Sequence, residues 1–339
     1  MTRYNAEFVA TSDAEIVLDG WVGGPPPPLG ESLVAKLRQI WWALRLARSI
    51  PHAEPIMASQ PHLGLGCAMS GRPFTQFVHG GEWEDYPFGR ILLKELLRRA
   101  KAVVFNSVAT KERLFPQRTS DHFFVVKPGL SSITPVLEED SSELVLARGT
   151  PATLKILSVA RLSPRKGHKK LIRAVQECHQ SGFDVNLKLV GSGYLEGEIR
   201  QLCSGQPNIV IETDLPDSAM KETYDDADIF VLCPETLEGG EGWEGFGIVF
   251  LEAAARGLPI IASTSGGISE ATCANGAVLL PPNCDASDIA QSIRTLARDL
   301  PLRTSMSEAN LGWALANKWT ARAKEIHALL RFIAGAPAA

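Results

Sequence analysis

From about Lys155 onward the chain alternates between short apolar runs and amphipathic stretches. ILSVA (156–160), LKLVGSG (187–193), NIVIE, IFVLCP, PIIAST and AVLLPP read as buried strands, each four to six residues of continuous apolar character bounded by polar or turn residues. Helical periodicity runs between them, over 166–179, YLEGEIRQL, SAMKETYDDA, a segment from about Gly247 to Arg256 stopped by Gly257 and Pro259, and DIAQSIRTLARDL. Strands that alternate with helices of this length imply right-handed crossovers and a parallel, doubly wound α/β sheet.

The first half is less regular. GWVGGPPPPLG (20–30) is a turn-rich, polyproline-prone loop. After it, Glu31 to Ile50 reads as one amphipathic helix with Leu33, Leu37, Ile40, Trp41 and Leu44 on its apolar stripe. PFTQFVHGG holds a strand stopping at Gly80-Gly81, 91–100 is a basic amphipathic helix, and AVVFNS is a strand ending in the capping residues Asn106 and Ser107. FFVVKPG closes the half, and the polar run EEDSSE with Gly149-Thr150-Pro151 reads as a linker. The expected division is an α/β domain over 1–150, a second over 151–315, and a C-terminal helix over 316–339 able to cross back to the first. Two Rossmann-like domains facing a cleft are the simplest architecture.

Composition narrows the function classes little. The 339 residues are 45% hydrophobic and 21% charged, ordinary globular usage with room for two cores. Lys and Arg total 34 against 38 Asp and Glu, a net of −4, so no global basic field recruits nucleic acid. The six cysteines are widely spaced without a CxxC pair, which weakens metal-cluster and disulfide-framework readings and fits a cytoplasmic protein. MTRYNAEFVATSDAEIVLDG has no apolar signal-peptide core, and no stretch reads as a membrane span.

VARLSPRKGHKK (159–170) carries the first chemistry. A buried strand ends and a helix begins, yet the junction holds Arg161, Arg165, Lys166, Lys169 and Lys170. Cations oppose the macrodipole at a helix N-terminus, so an anion bound there is the simplest reason for them. Backbone amides at such a terminus favour phosphate, and Arg and Lys add charge-assisted bonds. A solvated basic turn is the plainer alternative; the position at the carboxyl end of the domain's first strand favours phosphate.

The second stretch is EGWEGFGIVFLEAAARGLP (241–259). Gly245-Phe246-Gly247 is a tight loop able to bring amides to a ligand, with Glu244 in the loop and Glu252 further along the apolar helix that follows. Two carboxylates so placed can accept hydrogen bonds from two hydroxyl-rich parts of one ligand, and a lone acid among Ile248, Val249, Phe250, Leu251 and Ala253 to Ala255 needs a partner. TSGGISE (264–270) is a third Gly-rich strand-to-helix turn. All three lie at carboxyl ends of strands, the combination expected of a nucleotide-diphosphate cleft.

ILSVARLSPRKG, LVGSGYLEGEI, YDDADIFVLCP and EGFGIVFLEAAARGLPIIASTSGGISE resemble, in order and spacing, the nucleotide-sugar domain of retaining glycosyltransferases of family four, which have the GT-B fold. The resemblance covers Leu154 to roughly Asp299; FVHGGEWED and AVVFNSVATKERL resemble that family's acceptor-side domain more loosely. Glu244 and Glu252 match the family's E-x7-E motif. The resemblance implies that Arg161 and Lys166 hold the donor diphosphate, that Glu252 binds the ribose, and that Glu244 with the amides of Gly245, Phe246, Gly247 and Ile248 grips the donor sugar. It also puts His79 over that sugar near the reacting carbon. The nucleobase is expected near Gly191 to Gly193 and Asp214-Leu215. The implied reaction retains configuration and needs no metal or cofactor beyond the nucleoside diphosphate sugar, with positioning and electrostatics supplying much of the catalysis.

Two departures stand out. Family members open with a strand and a Gly-Gly loop, whereas this chain begins at what resembles the next strand, EFVAT, so the N-terminal domain is expected to lack its first strand; Gly23-Gly24 precede prolines that oppose a helix start. The loop before Glu244 is long and acidic, with Glu235, Glu238 and Glu241, and is expected to be solvated. The 31–50 helix sets Lys36, Arg38, Arg45 and Arg48 beside Trp41 and Trp42, as interfacial membrane helices and ordinary core-facing helices both do. The leading expectation is a cytoplasmic transferase moving a hexose from a nucleoside diphosphate sugar to a glycan or lipid-linked acceptor in polysaccharide or lipopolysaccharide synthesis, with peripheral contact at the inner face of the membrane as a further option. A nucleotide-sugar epimerase of the same fold and an inactive nucleotide-sugar-binding subunit are the alternatives.

Overall fold

Six mostly apolar segments of four to six residues form one sheet in the second half of the chain: β5 (Leu154–Val159), β6 (Val185–Val190), β7 (Ile209–Glu212), β8 (Ile229–Leu232), β9 (Ile260–Ser263) and β10 (Ala277–Leu280). In this computed structural model, which describes residues 33–50, 56–81, 89–117, 120–130, 153–235, 243–333 and 335, every pairing among them is parallel. The order is β10-β9-β8-β5-β6-β7. The sheet therefore winds outward in both directions from the β5–β8 neighbour pair, the topological switch point where such sheets open a crevice beyond their carboxyl ends.

The helices around this sheet are the crossovers α5 (His168–Gln180), α6 (Glu196–Leu202), α7 (Asp217–Asp225), α8 (Ile248–Ala255) and α9 (Ile268–Ala271), followed after the last strand by α10 (Ala286–Arg298) and α11 (Leu300–Ala316). On α5, Leu171, Ile172, Ala174, Val175 and Cys178 recur at helical spacing and are buried against one face of the sheet. On α8, Phe250, Leu251 and Ala253 to Ala255 fill the other face with Tyr224 and Phe230. Covering both faces is what leaves β8 and β9 buried at every position.

The first half builds a separate parallel sheet, β1-β2-β3-β4, from Ile56–Ala58, Phe74–Val78, Ala102–Phe105 and Phe123–Val125. Helices α1 (Leu33–Ser49), α2 (Pro61–Ser70), α3 (Gly89–Arg99) and α4 (Val108–Leu114) accompany it. The 31–50 helix is present, but its apolar stripe is not what it buries. Leu37 and Trp41 are 56% and 59% exposed, while Gln39, Ala43 and Ala47 are buried. The reason is close packing on α2: a Cβ on Gly66 would come within 2.7 Å of Ala43 Cβ, a spacing only small residues allow.

The last helix, α12 (Ala323–Ile333), belongs to this first sheet. Leu329 is buried with Ala102, Val104 and Val126, Phe332 packs on Phe124 at 5.2 Å between ring centroids, and Lys101 Nζ donates to the Ile333 carbonyl. The two compact units are Met1–Lys127 with Trp319–Ala339, and Pro128–Lys318. The boundaries fall there rather than at 150 and 315 because Leu130 is buried in the second core and its N–H donates to the Asn317 carbonyl at 3.0 Å. The expected EFVAT strand, the Gly23-Gly24 loop and the 138–151 linker lie outside the described residues.

Candidate functional site

The basic junction after β5 does not run straight into a helix. Pro164–Lys166 form a 3₁₀ turn that ends on Gly167 in the left-handed region, and α5 starts only at His168. Lys166 thus precedes the helix, and the macrodipole argument does not apply to it. Of the five cations read as one anion-binding group, two are held elsewhere. Lys169 pairs with Glu198 at 2.5 Å and Lys170 with Glu235 at 3.3 Å.

Arg165 and Lys166 converge on Glu244. Arg165 Nη1 lies 3.0 Å from Glu244 Oε2, and Lys166 Nζ donates to the same oxygen. Burial alone would raise the Glu244 carboxyl, but Lys166 and Arg165 outweigh it and hold the group below the ordinary carboxylate range. Lys166 is itself lowered, first by burial and then by repulsion from Arg165 and Arg161, against the attraction of Glu244. Lys166 is therefore surrounded by more positive than negative charge, which an anionic ligand would relieve. The sequence marks Arg165 only as one of the junction cations; Arg161, which the family resemblance couples with Lys166, is exposed, with no side-chain bond among the described residues.

Arg161 is nevertheless fixed through its backbone. His168 Nε2 lies 3.2 Å from the Arg161 carbonyl, and burial pushes the imidazole down to about 4, so a neutral ring donates from Nε2. The loop after β6 closes on the same segment. Gly191 has φ +140°, and a Cβ there would stand 2.1 Å from the Ala160 carbonyl oxygen. Gly193 is as close to Leu162 O, at 2.3 Å. Both glycines are what let the two loops touch.

The other two stretches meet at the backbone of Glu244. Its carbonyl accepts from Gly267 N at 2.9 Å, fastening the 243–247 loop to the TSGG turn after β9. Gly247, at φ +92°, caps α8, Gly245 and Phe246 are buried, and Ile248 opens the helix. Glu235 N donates to Arg165 O at 2.7 Å, tying the end of β8 to the basic turn. Three segments separated along the chain therefore share one set of bonds beyond the carboxyl ends of β5, β8 and β9. Glu238 and Glu241 lie outside the described residues; Glu235 is in the ion pair with Lys170 rather than simply solvated.

Glu252 has a different partner from the cation that a lone acid suggests. Tyr224 is fully buried and its hydroxyl donates to Glu252 Oε2 at 2.8 Å. Burial raises the Glu252 carboxyl, the tyrosine bond opposes this, and Asp217 adds to it. Tyr224→Phe is expected to lower the unfolding free energy by about 1.5 kcal/mol in urea titrations, the worth of a bond to a charged acceptor. The same change in a Glu252→Gln background should cost clearly less; equal losses would show that the hydroxyl acts through something other than the carboxylate. Sequence reasoning had no signal for this pair beyond the lone acid.

His79 follows β2 in the first unit. Its ring stacks on Phe77 at 6.3 Å, its carbonyl accepts from Asn106 Nδ2 at 2.6 Å, and burial lowers its pKa, so the imidazole is neutral near pH 7. Asp214, in the region expected to meet a nucleobase, holds a left-handed backbone at φ +59°. Among the described residues no group of three His, Cys, Asp or Glu is placed to hold a metal ion, and no helix is long and apolar enough to cross a membrane.

Residues 150–313 match the family described as Glycosyl transferases group 1. A GDP-mannose-dependent alpha-(1-6)-phosphatidylinositol monomannoside mannosyltransferase of Mycolicibacterium smegmatis is 29% identical over 271 residues, 76% of this chain and 70% of that protein. The monoacylated-substrate counterpart of Corynebacterium glutamicum is 32% identical over 240 residues, 68% of this chain but 62% of that protein. Among solved structures, Anabaena Alr3699/HepE in complex with UDP and glucose superposes with a TM-score of 0.71 at 18% identity, covering 90% of this chain and 84% of that one. That likeness establishes the fold as GT-B, two parallel-sheet α/β domains. Residues 150–313 accordingly match the Glycosyl transferases group 1 family, on a chain of GT-B fold.

Proposed function

We propose that the chain is a retaining glycosyltransferase that moves mannose from GDP-mannose to a lipid-linked or glycan acceptor, without a metal ion. The observation that carries this reading is the Arg165–Lys166–Glu244 cluster, with Arg161 beside it, at the switch point of the sheet. Three cations against one carboxylate leave a surplus positive charge suited to a diphosphate. The choice of donor and acceptor class rests on the mannosyltransferase relatives.

In this reading the C1–oxygen bond to the diphosphate breaks, and the leaving group keeps the electron pair. Arg161, Arg165 and Lys166 stabilise the charge that develops on it, the task a divalent cation performs in other transferases. The acceptor hydroxyl attacks C1 from the face the diphosphate vacates and passes its proton to a departing phosphate oxygen. Glu244 Oε2 is taken up by two cations, which leaves Oε1 to accept from a sugar hydroxyl. Glu252, oriented by Tyr224, receives the ribose hydroxyls. Gly245, Phe246, Gly247 and Ile248 supply amides at the start of α8, and the loop of Gly191 and Gly193 borders the nucleobase. His79, neutral, takes the role over the donor sugar that the family resemblance gives it.

An acceptor in a membrane gives the exposed side of α1 a purpose. Val34, Leu37 and Trp41 are solvent-facing, Arg38, Arg45 and Arg48 are exposed beside them, and the Arg45 guanidinium sits 4.8 Å above the Trp41 ring. Apolar side chains interleaved with arginines suit an anionic lipid surface, at the inner face of the membrane. One experiment covers these points. The purified chain is given GDP-mannose, UDP-glucose or ADP-glucose, with excess EDTA, and a phosphatidylinositol-mannoside acceptor in vesicles with or without anionic lipid. Transfer from GDP-mannose to an α-linked product, undiminished by EDTA and several-fold faster on anionic vesicles, is the expected result. An inverted product, a strict metal requirement, or donor turnover without any acceptor gain would each remove the corresponding part.

A further inference from the structure

The loop from Arg161 to Gly167 carries all three cations given to the donor diphosphate, and its parts are held in different ways. On the β6 side, Ala160 N donates to the Val190 carbonyl at 3.0 Å and Leu162 N to the Ser192 carbonyl at 2.9 Å, while the Leu162 carbonyl accepts from Leu195 N at 3.2 Å. Further along, the Arg165 carbonyl accepts from Glu235 N at 2.7 Å, and Arg165 and Lys166 rest on Glu244. Arg161 shares in neither set. Its side chain is exposed, and among the described residues its one hydrogen bond comes from His168 Nε2 to its carbonyl, at 3.2 Å across seven positions of the chain.

Three features set His168 apart from a histidine that only fills space. It is the first residue of α5 and is 2% exposed. Burial holds its pKa down to about 4, against the bond to the Arg161 carbonyl and with repulsion from Lys166 added, so the ring is neutral. Its Nδ1 is buried with no hydrogen-bond partner among the described residues. A leucine or methionine there would avoid the cost of that unmade bond. A lysine or arginine could reach the carbonyl, but it would add a fourth cation to a loop already crowded with positive charge. The imidazole supplies what neither does, a single uncharged donor long enough to close the loop.

We propose that His168 is a positioning residue for the donor diphosphate: it clamps the Arg161 peptide, so that the guanidinium is presented beside Lys166 instead of swinging with a free loop. The Arg161 charge already acts on Lys166, which places both in one field. Arg165 and Lys166 keep their own ties to Glu244, so loss of the clamp frees Arg161 alone. An arginine whose backbone is fixed gives up less freedom when it grips a phosphate, and the difference appears as affinity. The role rests on the transferase reading given above. It is felt most by a ligand with two phosphates, whose charge engages all three cations.

The test is the calorimetric affinity of the full chain for GDP, UDP, GMP and UMP. In His168→Asn the amide nitrogen stands near the Nδ1 position and falls short of Arg161; in His168→Gln it stands near Nε2 and reaches. His168→Asn is expected to weaken the tighter diphosphate by about five-fold, with the matching monophosphate changed less than about two-fold, and His168→Gln to restore most of the loss. His168→Met serves as the same deletion if a buried asparagine prevents folding. Arg161→Ala should show a loss at least as large, and His168→Asn added to it should cost no further affinity. Equal weakening of monophosphate and diphosphate, a loss that persists in the Arg161→Ala background, or a lowered melting temperature with affinities unmoved would each overturn the role. A wild type that binds none of the four nucleotides would remove the transferase reading and this role with it; unchanged affinities in every His168 variant would remove the role alone.

Discussion

Lys166→Ala is expected to lower kcat/KM for sugar transfer by about 10²- to 10³-fold, with the fold intact in circular dichroism. The ammonium group is nearly buried, its side chain 11% exposed, so no solvent cation takes its place readily. It stands between the carboxylate of Glu244 and the guanidinium groups of Arg165 and Arg161, where the charge of a leaving diphosphate would fall. Arg165→Ala should cost less, because that side chain is 33% exposed and shares its task. Glu244→Gln behaves differently. It removes the one carboxylate that, among the described residues, faces a buried lysine and its neighbouring arginines, so activity falls and stability drops by about 3 kcal/mol as well. The pH dependence follows from the sign of the Glu244 shift. A carboxylate held below its unfolded value near 4.3 contributes stability above that pH and loses it as the pH falls further through its folded value. The stability gap between the wild type and Glu244→Gln should therefore be constant at neutral pH and close only in acid. A Lys166→Ala enzyme with near-normal turnover would discredit the site assignment.

Gly191→Ala should cost about 3 kcal/mol of stability or more and uncouple the loop after β6 from the basic turn. Two effects add: a backbone at φ +140°, which side chains rarely adopt, and a Cβ placed 2.1 Å from the Ala160 carbonyl oxygen. The obstacle is main chain at the end of β5, so relief has to come from movement of Ala160 and the Arg161 that follows it. Two other glycines separate these effects. Gly205, at φ +79° with nothing near its Cβ position, carries only the backbone strain and should lose about 1 kcal/mol as alanine. Gly197, within α6 and with open space around it, should gain by the same change. Urea titration of the three variants gives the comparison, and nucleotide affinity of Gly191→Ala gives the functional half. Equal losses at 191 and 205 would show that the close approach to Ala160 is unimportant.

Residues 153–333 were legible because the order of apolar runs and amphipathic helices has few topological solutions, and a parallel doubly wound sheet brings the carboxyl ends of its strands to one edge. That edge is why Lys166 and Glu244, far apart in the chain, could be placed together from the motifs alone. What the motifs did not resolve was which atoms meet. Arg161 precedes the short turn that contains Arg165, and only the 3₁₀ geometry from Pro164 to Lys166 puts Arg165 on the carboxylate. The Tyr224–Glu252 bond depends on how α7 and α8 lie on the sheet, which periodicity does not encode. The α1 stripe misled for a physical reason. Large apolar residues recur at helical spacing along it, yet the neighbouring helix is so close at Gly66 that only the alanine side fits. The role of His79 rests on the family alone, since nothing in its spacing distinguishes it from a satisfied strand-end histidine.

The return of α12 to the first sheet has a consequence for synthesis. On a ribosome, β3 and β4 emerge early, but the side chain that covers Ala102, Val104 and Val126 belongs to Leu329. The second unit, continuous from Pro128 to Lys318, is complete before that residue leaves the exit tunnel. The amino-terminal half begins first and is finished last, and in the interval its Phe77 and Phe124 are open to whatever chaperone attends the nascent chain.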